Sequence, residues 1–166
     1  ADVLFGDYNP AGRFPVTFYR TLDQLDNALE KAANTEHTGF QNYNMAGRTY
    51  RYMKEDPLYP FGHGLSYSTF NYGQAILQAT QIKAGEGLTL TIPVTNASNH
   101  KGEEVVQVYV KRNDDPQAPV KSLRAFQRTA VDPGQTQDVK LTIQPDAFAF
   151  YDDMADDLKV KAGSYT

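Results

Sequence analysis

Four aspartates near the C-terminal end of the sequence form a group whose type and spacing could do chemistry. Asp152 and Asp153 precede Met154-Ala155, and Asp156 and Asp157 follow it. Hard cations such as Ca²⁺ bind where several oxygen ligands converge, so calcium binding is the chemistry to consider. The loop spacing and glycine of an EF-hand are absent, and carboxylates at a hairpin tip are usually solvated. We predict no metal site, and the sequence leaves open whether Asp152–Asp157 bind calcium.

Histidine and serine residues are present without the spacing that catalysis needs. The run from Gly62 to Ser66 reads Gly-His-Gly-Leu-Ser, but Tyr67 follows the serine, so the G-x-S-x-G turn of a serine hydrolase is missing. His37 and His100 lie far from His63 in sequence, and the three have no metal-ligand spacing. A backbone turn explains the run better: its glycines adopt unusual dihedral angles, and His63 packs or hydrogen-bonds.

Acidic residues that could flank a glycosidic bond are unpaired in sequence. A retaining glycosidase holds two carboxyl groups about 5–5.5 Å apart. The candidates in the first part of the chain are Asp2, Asp7, Glu55 and Asp56. Nothing in their spacing brings two of them into one pocket, so we expect surface or capping roles. We predict no catalytic residue and no cofactor, and the sequence identifies no substrate-binding residue.

Tyrosine and phenylalanine crowd residues 43–72, where two roles fit them. Aromatic rings can stack on sugar rings, but Trp, the commonest residue for that purpose, is absent from the chain. Tyrosine also suits a seam between two packed units, because its ring is buried while its hydroxyl finds a partner. We favour the seam. Asn96-Ala97-Ser98 has the pattern of a glycosylation acceptor, although an asparagine at the start of a loop needs no further explanation.

Composition excludes several classes of protein. The chain has 166 residues, of which 40% are hydrophobic and 22% charged, which is typical of a globular protein without a membrane span. A net charge of −4, spread along the chain, argues against nucleic-acid binding. The absence of Cys excludes zinc-thiolate sites and a cysteine nucleophile. Apolar residues from Ala1 onward and a strand-like start at 163–166 resemble cut ends, so we expect a fragment of a longer protein.

The pattern of apolar residues changes near residue 70. After it, positions 88–94, 106–110 and 139–143 alternate apolar with polar residues, which predicts strands. Weaker strands fit near 72–80, 121–129, 147–151 and 157–161, and turn residues separate them. This pattern predicts a mainly β protein, with an immunoglobulin or fibronectin type III-like β-sandwich over 71–166 whose last strand is incomplete. Val106 and Ile143 are expected in its core.

The first part, residues 1–70, is expected to be a partial α/β segment with one short helix. Thr21 and Gln24 match a capping box, and Leu22, Leu25, Leu29 and Ala32 share one helical face, which predicts a helix at 22–33. Phe14–Phe18 reads as a short strand and residues 35–48 as a loop. No regular element fits the aromatic stretch that follows.

Several motifs resemble glycoside hydrolase family 3, the β-glucosidases and β-xylosidases. Ala1–Phe18, which contains Asn-Pro-Ala-Gly-Arg-Phe-Pro, resembles the end of the family's α/β sandwich domain. Gly47–Tyr52 and Pro57–Tyr67, which contains Pro-Phe-Gly-His-Gly-Leu-Ser-Tyr, look like its connection into the C-terminal domain. The stretches similar to its fibronectin type III-like domain are Gly102–Val110, Leu123–Arg128 and Pro133-Gly134. Two departures are a longer segment at Asp26–Thr38 and the end at Thr166, before the last strand is complete.

The resemblance implies that the parent protein is a secreted or periplasmic retaining exo-β-glycosidase. In the family, the nucleophilic aspartate lies on an N-terminal barrel and the acid/base is usually a glutamate earlier in the α/β sandwich domain; neither motif occurs here. The chain would therefore be a non-catalytic brace, whose partners are the parent's barrel and α/β sandwich domains and, through the parent, oligo- or polysaccharide. The alternative is a carbohydrate-binding module that tethers the same enzyme.

Overall fold

The alternating residues at 88–94 form the central strand of the larger β-sheet. In the computed structural model, which describes residues 1–25, 45–152 and 154–166, this strand is β3 (Leu88–Asn96). It pairs antiparallel with β6 (Thr136–Ile143) along one edge. Two short strands, β1 (Phe70–Tyr72) and β2 (Ile76–Leu77), share its other edge. The predicted strand at 72–80 is therefore broken into two shorter pieces.

A second sheet contains β4 (Gly102–Val110) paired antiparallel with β5 (Ser122–Val131). Its register shifts between Val108 and Tyr109, which pair with Ala125 and Leu123, so Arg124 is the extra residue of a bulge. The predicted strand at 147–151 begins instead as one turn of 3₁₀ helix, Pro145–Phe148, because Pro145 starts the turn. It continues as β7 (Ala149–Asp152), which forms a hairpin with β8 (Asp157–Val160).

The hydrophobic core lies between the two sheets and is built from the alternating side chains. Val94, Val131 and Val139 are at most 1% exposed. Val106 and Ile143, both predicted core residues, are 3% and 4% exposed. Phe148 and Phe150 close the core from the side of the 3₁₀ turn and β7. The prediction of a mainly β sandwich is confirmed, and its strands come from the segments whose period is two.

The first part of the chain is less regular than its motifs suggested. Two of its helical segments are single turns that were not predicted, α1 (Asp2–Phe5) and α2 (Thr49–Tyr52). Phe14–Phe18 is not a strand but makes one antiparallel bridge, Phe18 to Tyr59, since Pro15 has no N–H for a ladder.

The helix predicted at 22–33 is described only over residues 22–25, which are helical. Its Gln24 side chain accepts a hydrogen bond from the N–H of Arg20 (2.7 Å), one residue before the Thr21 that the capping box specified. Leu29 and Ala32, the Asp26–Thr38 segment, and the predicted loop up to residue 44 lie outside the described residues.

The last residues pair with the chain beyond β4. Lys111 and Thr166 exchange two backbone hydrogen bonds of 2.7 and 2.9 Å, and the Asn113 N–H donates to the Ser164 carbonyl. The incomplete last strand stays a prediction. Across the described ranges, no helix combines the length and apolar character that a membrane crossing requires.

Ile143→Ala tests the register of the core. Ile143 is 4% exposed on β6, so we expect the truncation to lower the free energy of unfolding by about 2–5 kcal/mol. Ile76→Ala is the matched control, because Ile76 is 67% exposed on β2 and its loss should cost about 0.5 kcal/mol or less. Urea unfolding measures both, and equal losses would show that the register is wrong.

Candidate functional site

The predicted carboxylate candidates do not gather into a site. Asp2, Asp7, Glu55 and Asp56 are all exposed. Asp2 lies in the first turn of α1, and the backbone carbonyl of Asp56 accepts a hydrogen bond from Gln24. Their role as surface or capping groups, and the expectation that the chain supplies no catalytic residue, stay predictions.

The acidic hairpin tip is held by local contacts. The Asp152 carboxylate accepts hydrogen bonds from the N–H groups of Met154 (3.0 Å) and Ala155 (3.3 Å) and pairs with Lys161 at 2.6 Å. The hydrogen bond from Lys161, helped by the two backbone N–H groups, lowers the pKa of Asp152. Asp157 pairs with Lys159, and Asp153 lies outside the described residues. Within those residues no group of three or more His, Asp or Glu is placed to hold a metal ion.

The turn predicted at Gly62–Ser66 lies at its start, where the His63 N–H donates to the Pro60 carbonyl at 3.0 Å; residues 63–66 that follow are irregular. Gly62 has φ of +82°, and an added Cβ would overlap the side chains of Gln107 and Tyr109, so glycine is required twice over. The His63 ring packs in a cluster with two aromatic rings, 5.9 Å from Phe14 and 5.2 Å from Tyr59, which are themselves 5.9 Å apart. The turn therefore presses the connecting segment closely onto β4.

We use the name seam for the contacts between residues 1–67 and the β-sandwich. Its ionic centre is a pair between Arg13 and Glu104, whose nearest atoms are 2.5 Å apart. Their side chains are only 14% and 9% exposed, and Glu104 lies on β4 between Gly102 and Val106, all three buried. Gly64 packs so closely on Gly12 and Arg13 that a side chain there would collide with both.

Tyr72 on β1 completes this group. Its hydroxyl donates to the Glu104 carboxylate at 2.7 Å. Burial of the phenol, together with the hydrogen bond to Glu104 and its negative charge, raises the pKa of Tyr72. The guanidinium and phenol are thus both committed to one carboxylate, so the group is suited to joining chain segments rather than to transferring protons.

A layer of aromatic rings forms the second part of the seam. Tyr50 and Phe61 are stacked with centroids 4.1 Å apart, and both meet Tyr109 edge-on at 6.0 and 6.4 Å. The Lys121 ammonium also approaches Tyr109, 4.9 Å from the ring centroid. Because these rings pack on each other, they support the seam interpretation of the aromatic stretch over a sugar-stacking platform.

Backbone contacts fix α2 against β5 beside these rings. The Tyr50 hydroxyl accepts from the Leu123 N–H at 3.2 Å, and the Val120 N–H donates to the Arg51 carbonyl at 2.6 Å. Burial, together with the nearby charge of Arg51, lowers the pKa of Arg124, which donates to the Ala149 carbonyl.

The Asn9 side chain makes four hydrogen bonds in another part of the seam. Its amide group donates to the Ser68 hydroxyl (2.8 Å) and to the Lys101 carbonyl (2.9 Å). Its carbonyl oxygen accepts from the Ser66 hydroxyl and the Tyr67 N–H, both at 2.9 Å. One side chain of the Asn-Pro-Ala-Gly-Arg motif therefore ties the connecting segment to the β3–β4 loop.

Sequence reasoning missed the residues of the seam that carry charge. Glu104 left a signal, since it occupies an inward position of the alternation that continues with Val106 and Val108. A charged residue at such a position needs a buried partner. Nothing in the sequence identified that partner as Arg13, which lies 91 residues away.

Arg13→Met tests the ionic centre. Leaving Glu104 buried without its cation should cost about 3–5 kcal/mol of unfolding free energy. The double variant with Glu104→Gln should lose less than the sum of the single losses, because it has no unpaired charge. The control is Arg128→Met at the Arg128–Glu103 pair, whose side chains are 49% and 40% exposed, where we expect little or no loss of stability because solvent screens the pair. Equal costs at both pairs would contradict the account.

Tyr72→Phe tests the effect of the raised pKa. A tyrosine in an unfolded chain titrates near pH ~10. Since folding raises the pKa of Tyr72, the folded state keeps the phenol proton at pH values where the unfolded chain has lost it. The stabilisation by the protonated Tyr72 is therefore complete below pH ~10 and is lost as the pH rises above it. Urea midpoints between about pH 9 and 11.5 should fall less steeply in Tyr72→Phe than in the wild type or Tyr67→Phe. An unchanged slope would contradict this.

Comparison with known proteins matches both parts of the chain. The glycosyl hydrolase family 3 C-terminal domain matches residues 1–67, and the fibronectin type III-like domain matches residues 104–166. A xylan 1,4-β-xylosidase from Xylanibacter ruminicola is 40% identical over 99% of this chain, which spans 17% of that protein. A periplasmic β-glucosidase from Salmonella typhimurium is 34% identical over 91% of this chain, which spans 20% of it.

Solved structures agree with these relatives. A β-glucosidase from Erythrobacter marinus superposes over 99% of the chain with a TM-score of 0.76 and 34% identity. The chain spans about a fifth of the length of these proteins. It therefore belongs to glycoside hydrolase family 3, of which it contains the C-terminal domain segment and the fibronectin type III-like domain.

Proposed function

We propose that this chain is the non-catalytic C-terminal part of a secreted retaining exo-β-glycosidase of the β-glucosidase or β-xylosidase type. Residues 71–166 form the fibronectin type III-like sandwich, and residues 1–70 are the end of the preceding α/β sandwich domain with its connecting segment. The names of the relatives, xylan 1,4-β-xylosidase and periplasmic β-glucosidase, support the substrate class and a site of action outside the cytoplasm. The sandwich acts as a brace.

The observation that carries the proposal is the buried Arg13–Glu104 pair. Arg13 belongs to the first part and Glu104 to the sandwich, and separating them would leave a charge in a site almost closed to water. Asn9 and the Tyr50–Phe61–Tyr109 rings add contacts along the same line. The described residues of this first part, 1–25 and 45–70, are thereby held in one geometry on the sandwich, as a brace requires.

An exposed apolar face at the start of the chain supplies the surface for the parent's other domains. Leu4 and Phe5 of α1 are 84% and 82% exposed, and Leu65 is 75% exposed. Tyr67, half exposed, donates from its hydroxyl to the Val3 carbonyl and so lies beside α1. A four-residue helix with such side chains needs a partner to cover it. We assign this face to the α/β sandwich domain and barrel of the parent.

The alternative function, carbohydrate binding by the sandwich or its aromatic segment, has weaker support. The rings of Tyr50, Phe61 and Tyr109 pack on one another, and the Lys121 ammonium lies 4.9 Å from the Tyr109 centroid, which favours the seam over a sugar-stacking surface. In the brace proposal, oligo- or polysaccharide reaches only the parent's catalytic domains, and no nucleic acid is involved.

A chimera tests the brace directly. This chain replaces the corresponding fifth of the Xylanibacter ruminicola xylosidase, and Phe5→Ser is compared with Phe126→Ser in that chimera. Phe126, 68% exposed on β5, is the matched control for loss of an exposed phenylalanine. We expect both variants to keep the turnover of nitrophenyl xyloside at low temperature. Phe5→Ser should lower the temperature of thermal inactivation, because α1 no longer packs on its neighbouring domain, and Phe126→Ser should not.

The isolated chain provides the other half of the test. It should release no nitrophenol from nitrophenyl glucoside or xyloside, and it should not be retarded in affinity electrophoresis on xylan or β-glucan. Turnover that is lost on mutating a carboxylate of this chain would overturn the non-catalytic assignment. Retardation would favour the tethering module, and equal inactivation temperatures for the two chimeras would remove the support for a brace.

A further inference from the structure

We infer that the acceptor sequence Asn96-Ala97-Ser98 is open to N-glycosylation only in the unfolded chain, and that a glycan on Asn96 and the folded sandwich exclude each other. Acceptor sequences that carry glycans in mature proteins normally lie in surface loops. Asn96 has 0% of its surface exposed, at the last position of β3. Glycosylation at this motif therefore requires an accessible Asn96 side chain, whereas the fold buries it.

Both hydrogens of the Asn96 amide are used inside the sandwich. One is donated to the His100 carbonyl at 2.8 Å and the other to the Val131 carbonyl at 2.9 Å. The amide oxygen accepts from the N–H of Ser98 (3.0 Å) and from its hydroxyl (2.6 Å). Asn96 thus joins the end of β3 to the end of β5 and closes the loop that leads into β4.

Glycan transfer to Asn96 would break part of this arrangement. In the reaction, the amide nitrogen forms a bond to the anomeric carbon of a polyprenyl diphosphate-linked oligosaccharide; the bond from that carbon to the diphosphate oxygen breaks, the diphosphate leaves, and one amide hydrogen departs as a proton. The product has a single N–H, so at least one of the two hydrogen bonds from the Asn96 amide is lost. The His100 carbonyl also accepts from the Ser68 and Ser98 hydroxyls, so the larger obstacle is the space that the fully buried Asn96 side chain would have to yield to the sugar. The remaining proton cannot serve both partners.

The surroundings leave no exit for a sugar chain. The backbone N–H of Asn96 donates to the Gln135 carbonyl, and its carbonyl accepts from Gly134, both at 3.0 Å. On the other edge of β3, Asn96 pairs with Phe70 of β1. Val131, whose carbonyl binds the amide, is 1% exposed. A glycan would have to pass through packed strand ends, which requires the sandwich to open.

In a compartment that contains the transferase and its lipid-linked donor, modification therefore competes with folding. Chains that fold first keep a free Asn96, and chains that are modified first cannot close the sandwich. The fate of each chain therefore depends on whether the sandwich folds before or after glycan transfer to Asn96.

Cell-free translation into microsomes tests this with three forms of the full chain behind a cleavable signal sequence. The forms are wild type, Ser98→Ala, which removes the acceptor pattern, and Ser98→Ala with Gln78→Asn. Gln78 is exposed and is followed two positions on by Thr80, also exposed, so the last form has an acceptor on the surface. An endoglycosidase mobility shift reports the glycan, and resistance to added protease after detergent release reports folding.

We expect wild-type chains with a glycan to be digested and those without one to resist. Ser98→Ala should carry no glycan and resist, and the double variant should carry a glycan and resist. Glycan-bearing wild type that resists protease as the double variant does would overturn the inference. Wild type that receives no glycan and resists protease, beside a glycan-bearing double variant, would support it, because it shows that the folded sandwich excludes the transfer.

Discussion

A carboxylate on an inward position of β4 is the constraint on which the rest of the structure depends. Glu104 faces the interior beside Val106, and an unpaired charge in that position would be too costly to keep. Its partners, Arg13 and Tyr72, come from the first part of the chain and from β1. The sandwich therefore completes its own interior only when the segment that carries Arg13 is in place, and the two parts stabilise each other.

The second half of β4 is covered on both of its faces. Val106, Val108 and Val110 face the core, and Gln107 and Tyr109 on the other face are only partly exposed. Tyr109 meets Phe61 and Tyr50, and Gly62 lies against Gln107 and Tyr109 at a distance that only glycine permits. β4 thus packs on the sandwich core with one face and on the connecting segment with the other.

The sequence predicted the strands and the core well, since burial on one face leaves a period of two that can be read directly. It predicted the first part poorly. α1 and α2 are single turns whose positions depend on contacts with Tyr67, Leu123 and Val120, and no local pattern records such contacts. The pairing of Arg13 with Glu104 is equally long-range. The motif series indicated the family from residues that turn out to form the seam, among them Asn9 and Gly62.

The central claim is that residues 1–67 and the sandwich form one cooperative unit, and native-state hydrogen exchange tests it most directly. The amides of Phe14 and Gly62 donate to His63 and Phe14, both at 2.8 Å, within the first part. If the parts unfold together, these two amides should exchange with the same free energy of opening as Val106 in β4. Rapid exchange at Phe14 and Gly62, while Val106 remains protected, would contradict the claim.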